Sequence, residues 1–496
     1  MRKITILTIA GVLALVLSAL AAQQPSAVQT AADALGTAKI KTLQFTGSGA
    51  NFSVGQNFTP NQPWPRVPVK NYTASINYDT GSMRLELLRE MGPVMPRGGG
   101  APFFGEQRQV QVVSGNYAWN VPPPPANAPA GAAPPPAATP DAQLERMLAL
   151  WATPQGFVKA AGANNATARN ARGGTEVSFT VGGKYKMTGT INARGQVEKV
   201  QTWIDHPIVG DMLVETTYTG YKDFGGVMFP SRIVQTQDGY PSLDLTISAV
   251  NANPAVNITV PDSVRTFTPP PVRVESKKMG EGVYYLTGGS HHSLAVEMRD
   301  HIVVVDVPNN EARATAVLAK AKEVIPNKPI RYVVTSHHHW DHLGGIRAAM
   351  DEGATIVTHQ SNKAFLERVA KTPHTIVPDR LAASKKPVKI QTVGEKGQLT
   401  DGTRTIDLYL LTGYEHTGDM LVVYLPKEKL LAEPDAFTPP PQPGTPLVRT
   451  AVPYAKALYD NIQRLKLDVQ VIAPFHGNRT GDAMELARAA AANSSN

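Results

Sequence analysis

The 496-residue chain is too long for one compact core and predicts two to four domains, in a composition (42% hydrophobic, 18% charged) ordinary for a globular protein. It contains no cysteine, which excludes disulfides, thiolate metal ligands, a cysteine nucleophile and a lipid anchor on cysteine. The net charge of +8 is not gathered into basic runs with interleaved aromatics, so it reads as surface charge and not as a nucleic-acid interface.

The first predicted element is a targeting segment. Arg2 and Lys3 precede an apolar run from Ile4 to Leu17 and small residues at Ala21 and Ala22, the pattern of a secretory signal peptide over residues 1–22. The run is short for a spanning helix, and no later segment is apolar for long enough to cross a bilayer. A periplasmic or secreted location is expected.

From about Lys41 to Val264, short alternating segments are separated by turn residues, which predicts an antiparallel β-rich N-terminal domain over residues 30–268. Val177, Phe179 and Val181 alternate with polar residues, Gly182-Gly183 supplies a turn, and Tyr185 and Met187 resume the pattern. "RQVQVVSGNYAWNV" repeats the design with Ser114-Gly115-Asn116 as its turn. Between these hairpins the Pro/Ala-rich stretch 121–140 cannot pack a core and predicts an extended loop. Thr139 and Pro140 then start a short amphipathic helix in "TPDAQLERMLALW", with Thr139 as its cap. The block from Lys186 to Val264 resembles the envelope lipoprotein carriers and sorting proteins. That resemblance implies a curved, incomplete antiparallel barrel with helices against its concave face, and an envelope lipid or lipopeptide as a partner.

"FTPPPVRVESKK" breaks the pattern, and near Val274 the texture changes. Continuously apolar strands, "HIVVVDVP" and "IRYVVTS", alternate with helical runs such as "EARATAVLAKAKEVI", which predicts an α/β domain over residues 274–490. Eleven of the twelve histidines fall after this boundary, leaving His206 before it. His337, His338, His339, Asp341 and His342 crowd six positions between a buried strand and "HLGGIRAAM", the start of a helix. In an extended loop His337 and His339 point to one side and can chelate one ion, while Asp341 and His342 face a second position. Gly344-Gly345 lets backbone approach closely.

The H-x-H-x-D-H arrangement resembles the metallo-β-lactamase superfamily, and the resemblance directs a search downstream. "LTGYEHTGDMLVV" offers His416, followed by the Thr-Gly-Asp that commonly trails the family's third-motif histidine. "KLLAEPDAF" offers Asp435, with Pro434 where the family usually has Gly. "VQVIAPFHGNRT" offers His476. The resemblance implies that His337, His339 and His416 hold one ion, Asp341, His342 and His476 a second, and that Asp435 bridges them. It also implies an αββα sandwich with the metals at one edge of the paired sheets.

The remaining histidines take other readings. His338 should point away from the metals. His291 and His292 precede a strand where the family often brings a polar loop to the cleft, and are candidates for substrate contact. His359 reads as a strand-end histidine; His206, His301 and His374 read as surface residues. Asp306 ends a strand near the metal edge, where it either orients a ligand histidine or serves as a structural carboxylate.

Two ions about 3.5 to 4 Å apart can share a water, lower its pKa towards neutrality and present hydroxide to an acyl carbon, with Asp341 as the catalytic residue that orients it and assists proton transfer. Imidazole and carboxylate ligands suit two Zn²⁺ ions best, with iron or manganese as alternatives. Diiron oxidoreductases of the superfamily typically have Glu in place of His339, which favours a hydrolase. Only twenty residues follow His476, too few for the C-terminal helical domain of glyoxalase II-like thioesterases. Dedicated β-lactamases generally replace the bridging aspartate with cysteine or serine. The expected activity is therefore hydrolysis of an ester, lactone, lactam or related acyl bond in a small molecule. The alternatives are an envelope lipid- or lipopeptide-binding protein with a weakly active or docking metal domain, a promiscuous β-lactamase, or an iron-dependent oxygenase.

Overall fold

The computed structural model describes residues 24–92, 96–100, 103–124 and 134–492. The expected signal segment and part of the Pro/Ala-rich loop lie outside the described residues. Among those described, no helix is long and apolar enough to cross a membrane.

The N-terminal half is one 13-stranded antiparallel sheet. Two meanders meet where strand Thr42–Phe52 pairs with strand Tyr240–Ala252, from Leu43↔Ala252 to Asn51↔Leu243 with a register shift between Thr46 and Gly47. Ala137–Ala138 and Thr167–Ala171 form its two edges, so the sheet stays open, as the incomplete barrel predicts. Alternation explains the strands: Val177 and Phe179 point inward beside Met187, which faces Phe179 across the predicted hairpin. Gly182 and Gly183 turn it with φ of 59° and 69°, a region that a Cβ disfavours. Helices Gln143–Ala152 and Pro154–Ala163 cover one face and bury Leu148, Leu150 and Phe157.

Two local expectations are corrected. Thr139 makes no side-chain cap; a 3₁₀ turn at Pro140–Ala142 intervenes, and Ala142 occupies the cap position of the helix. Within the stretch expected to be loop, Ala137–Ala138 pairs with Trp119 and Asn120, because their backbone groups can satisfy an edge whatever the side chains.

The C-terminal half is an αββα sandwich. A seven-stranded sheet, antiparallel and then parallel from Ile302–Val305 through Ile330–Val334 and Thr355–His359 to Lys389–Val393, faces a six-stranded one. Val303, Val305, Val334 and Val357 of the first pack against Leu408, Val423 and Ala473 of the second. Helices Glu311–Val324, Ile346–Glu352 and Lys363–Lys371 cover one outer face; Val452–Leu465 and Ala483–Ala491 cover the other. Strands buried on both sides explain the unbroken apolar runs. The helical start expected at "HLGGIRAAM" comes in two pieces, Trp340–Leu343 and Ile346–Glu352. At the break a Cβ on Gly344 would lie 1.8 Å from Asn309 O, and one on Gly345 2.1 Å from the Ala314 Cβ. The close backbone approach is therefore to the loop after strand Ile302–Val305.

Candidate metal centre

Three strands of the sandwich, Ile330–Val334, Leu430–Glu433 and Val471–Pro474, end just before His337, Asp435 and His476. His416 lies in the turn that leads into strand Leu421–Leu425. Rigid strand ends thus gather residues up to 139 positions apart (His337 to His476) at one edge of the paired sheets.

Ligand atoms of His337, His339 and His416 fall within 4.8 Å of one another, as do those of His291, Asp341, His342 and His476, and those of His337, His342 and Asp435. Asp435 joins the groups. Its Oδ2 lies 3.3 Å from His337 Nε2, 3.3 Å from His342 Nε2 and 3.4 Å from His416 Nε2, while Oδ1 lies 2.9 Å from His476 Nε2. His339 Nδ1 approaches His416 Nε2 at 3.1 Å, and His342 Nε2 approaches His476 Nε2 at 3.2 Å. Buried His337 Nε2 and Asp435 Oδ2 lack hydrogen-bond partners. Nitrogen lone pairs and carboxylate oxygens that converge in this way, unpaired and buried, fit cations.

The far nitrogens of His342 and His339 are held. His342 Nδ1 donates to Asp306 Oδ2 at 2.9 Å, and the same carboxylate accepts from the Ser336 backbone N–H and hydroxyl, both at 2.7 Å. Asp306 therefore orients a candidate ligand, from a left-handed backbone with φ of 57°. His339 Nε2 donates to the Asn57 carbonyl at 2.9 Å, which leaves Nδ1 as its lone-pair atom. Burial holds the His337 and His339 imidazoles well below their usual pKa, in the neutral form that ligates. Burial alone would push the Asp435 carboxyl up, but His342, His416 and His476 hold it well below the usual range. Glu433, pushed up to about 8 by burial, accepts from Ala436 N and Phe437 N and so shapes the turn that carries Asp435.

His338, buried, donates Nδ1 to Asp419 Oδ1 at 2.8 Å and faces away from the groups, as expected. His359 ends its strand beside Ser361. His291 does more than border the cleft: its Nε2 lies 3.2 Å from Asp341 Oδ2, inside one ligand group. His292 instead bonds the Gly477 carbonyl at 2.7 Å. The surface reading of His206, His301 and His374 is corrected. His301 and His374 are buried, and His206 packs its ring 4.2 Å from Trp340. Composition gives no sign of this, because each fills a junction formed by distant segments.

The sequence reading also missed the N-terminal sheet's share of the site. The connection between strands Thr42–Phe52 and Arg66–Asn77 reaches across. Gln56 Nε2 donates to Asp341 Oδ1 at 2.9 Å, Asn57 Oδ1 faces His338 Nε2 at 3.1 Å, and Phe58 O accepts from Gly418 N at 2.8 Å. Trp64 meets Trp340 edge-on, with centroids 5.5 Å apart. Asp341, gripped by Gln56 and His291, still keeps 36% of its side chain exposed and marks the open side of the centre.

Residues 286–476 match the family model described as metallo-beta-lactamase superfamily. Similar solved structures include a metallo-beta-lactamase from Pontibacter korlensis (21% identity over 44% of this chain and 97% of that one, TM-score 0.33). Another is from Hirschia baltica (22% identity, 44% and 96%, TM-score 0.32). A third, from Pseudomonas aeruginosa in its mono-zinc form, gives 18% identity, 45% and 95%, and TM-score 0.34. No curated protein matches the chain.

Proposed function

We propose that this chain, whose residues 286–476 form a metal-dependent hydrolase domain of the metallo-beta-lactamase superfamily, is an exported dinuclear zinc enzyme that cleaves an ester, lactone, lactam or related acyl bond. The observation that carries the reading is Asp435, whose two oxygens face histidines of both ligand groups. His337, His339 and His416 would hold one cation, and His342, His476 and Asp341 the other, with Asp435 between. His291 is a further candidate ligand beside Asp341. Nitrogen and carboxylate donors in a chain without cysteine favour zinc over softer ions. When bound, the cations supply Lewis acidity, which acidifies water and polarises an acyl oxygen.

The chain's own residues do the rest. Gln56 and His291 fix both oxygens of Asp341, so that this half-buried carboxylate stays ionised and aimed where it can orient a water molecule. Buried His342 and His339 keep their rotamers through Asp306 and Asn57, which holds donor atoms on target without rearrangement. Export is supported by Arg2, Lys3 and the apolar run that follows.

Metal analysis of the purified protein after stripping and zinc reloading should give about two ions per chain. Hydrolysis of a panel of lactones, aryl esters and β-lactams should vanish with chelation and return with zinc. Activity that survives both chelation and His339→Ala would overturn the proposal.

A further inference from the structure

A cavity of about 320 Å³ is lined by residues of the N-terminal half together with Tyr454 of the sandwich. Its wall includes Gln56, which bonds Asp341, and Tyr454, whose ring lies 5.7 Å from that of His416. None of the candidate ligands lines the cavity, but through these two residues it borders the candidate metal centre. Among the described residues of its wall, Arg89 is the single charged side chain.

Arg89 is not placed like a surface arginine. It sits on strand Ser82–Met91 opposite Gln107, whose side-chain oxygen accepts from Nη2, and its guanidinium lies 5.0 Å from the Phe103 ring centroid. Its Nε is buried without a hydrogen-bond partner, and burial depresses its pKa. A guanidinium's planar fork matches the two oxygens of a carboxylate. An aromatic ring and a neutral amide, with no acidic ion-pair partner for Arg89 among the described residues, leave its positive charge unneutralised in the cleft wall.

We propose that this cleft is a substrate subsite in which Arg89 binds a carboxylate carried by the acyl substrate away from the scissile bond. The substrates would then be anionic acyl compounds, read by the N-terminal sheet. The inference rests on the hydrolase reading for its chemistry, but the anion site itself can be measured by binding alone.

Titration calorimetry on the zinc-loaded full chain tests it, with the anion N-phenylglutaramate and the neutral N-phenylpentanamide as probes. Wild type should bind the anion at least about tenfold more tightly, as one charge-assisted pair requires. Arg89→Met should remove that preference and leave the neutral probe unchanged. Gln107→Glu, which keeps the local shape and supplies the fork with its own carboxylate, should do the same. Equal binding of both probes by wild type would overturn the proposal. So would a preference that survives in both variants, because the anion would then be held by the metals. An Arg89-dependent preference in a protein that hydrolyses nothing on the panel would sink the hydrolase reading and leave the anion site standing.

Discussion

Asp306 and Asp419 are two buried carboxylates doing parallel work on neighbouring histidines. Asp306 steers His342 towards the metal groups; Asp419 holds His338 away from them, accepting also from the His338 N–H, from Asn362 Nδ2 and from Thr417. Burial alone would push the Asp419 carboxyl up, yet His338 and these hydrogen bonds hold it well below the usual range. Asp419→Ala should destabilise the protein by about 3–5 kcal/mol in denaturant unfolding, because buried donors lose their acceptor. Asp306→Ala should instead show as a zinc affinity lowered about 10- to 100-fold in a competition titration, since it frees the His342 ring. Both aspartates were visible in sequence, one at a strand end and one in Thr-Gly-Asp. Which ring each would grip was not, because that depends on side-chain direction at the ends of separate strands.

At the scale of one element, the Ser53–Pro65 connection changes the meaning of the N-terminal sheet. Nothing in its sequence, rich in Gly, Asn and Pro, sets it apart from other connections. Folded, it carries Gln56 and Asn57 to residues 285 and 282 positions away. Gly55 permits the approach: its φ is 74°, and a Cβ there would lie 2.5 Å from the Trp340 ring. Gly55→Val should displace the connection and lower both zinc affinity and kcat/KM by about 10- to 100-fold, read by metal competition and steady-state kinetics. Gln56→Ala, which leaves the Asn57 carbonyl in place, should lower kcat with the zinc content unchanged. Equal loss of metal in both variants would show that the connection acts only as a brace.

Over the whole molecule, the two halves are joined by packing and by polar clamps. Asp211 of the N-terminal sheet accepts from the Thr375 N–H and hydroxyl and from Ile376 N, and Asp238 pairs with Arg368 at 2.8 Å. Burial would raise the Asp211 pKa, but the Thr375 and Ile376 hydrogen bonds outweigh it and hold the carboxyl below its usual range. A carboxylate lowered on folding contributes its full stabilisation above the unfolded pKa of about 3.9 and loses it as the pH falls through the folded value. Asp211→Asn should therefore melt about 2–4 °C below wild type at pH 7, with the gap closing below about pH 4. A gap that persists in acid would assign the effect to packing.

Alternation along the chain was enough for an antiparallel N-terminal sheet, continuous apolar strands between helical runs for an α/β half, and the cluster at 337–342 for a metal site, whereas the αββα layering and the joining of His416, Asp435 and His476 to that cluster came from the family resemblance. Periodicity and the spacing within 337–342 are local properties, which is why they could be read without the fold. It took the tertiary packing to bring His291 into a ligand group, to let Asn57 set the atom His339 offers, and to place Arg89 in the wall of the neighbouring cavity. These are contacts between segments tens to hundreds of residues apart, chosen by how two separately patterned sheets pack, and no spacing within either one encodes them.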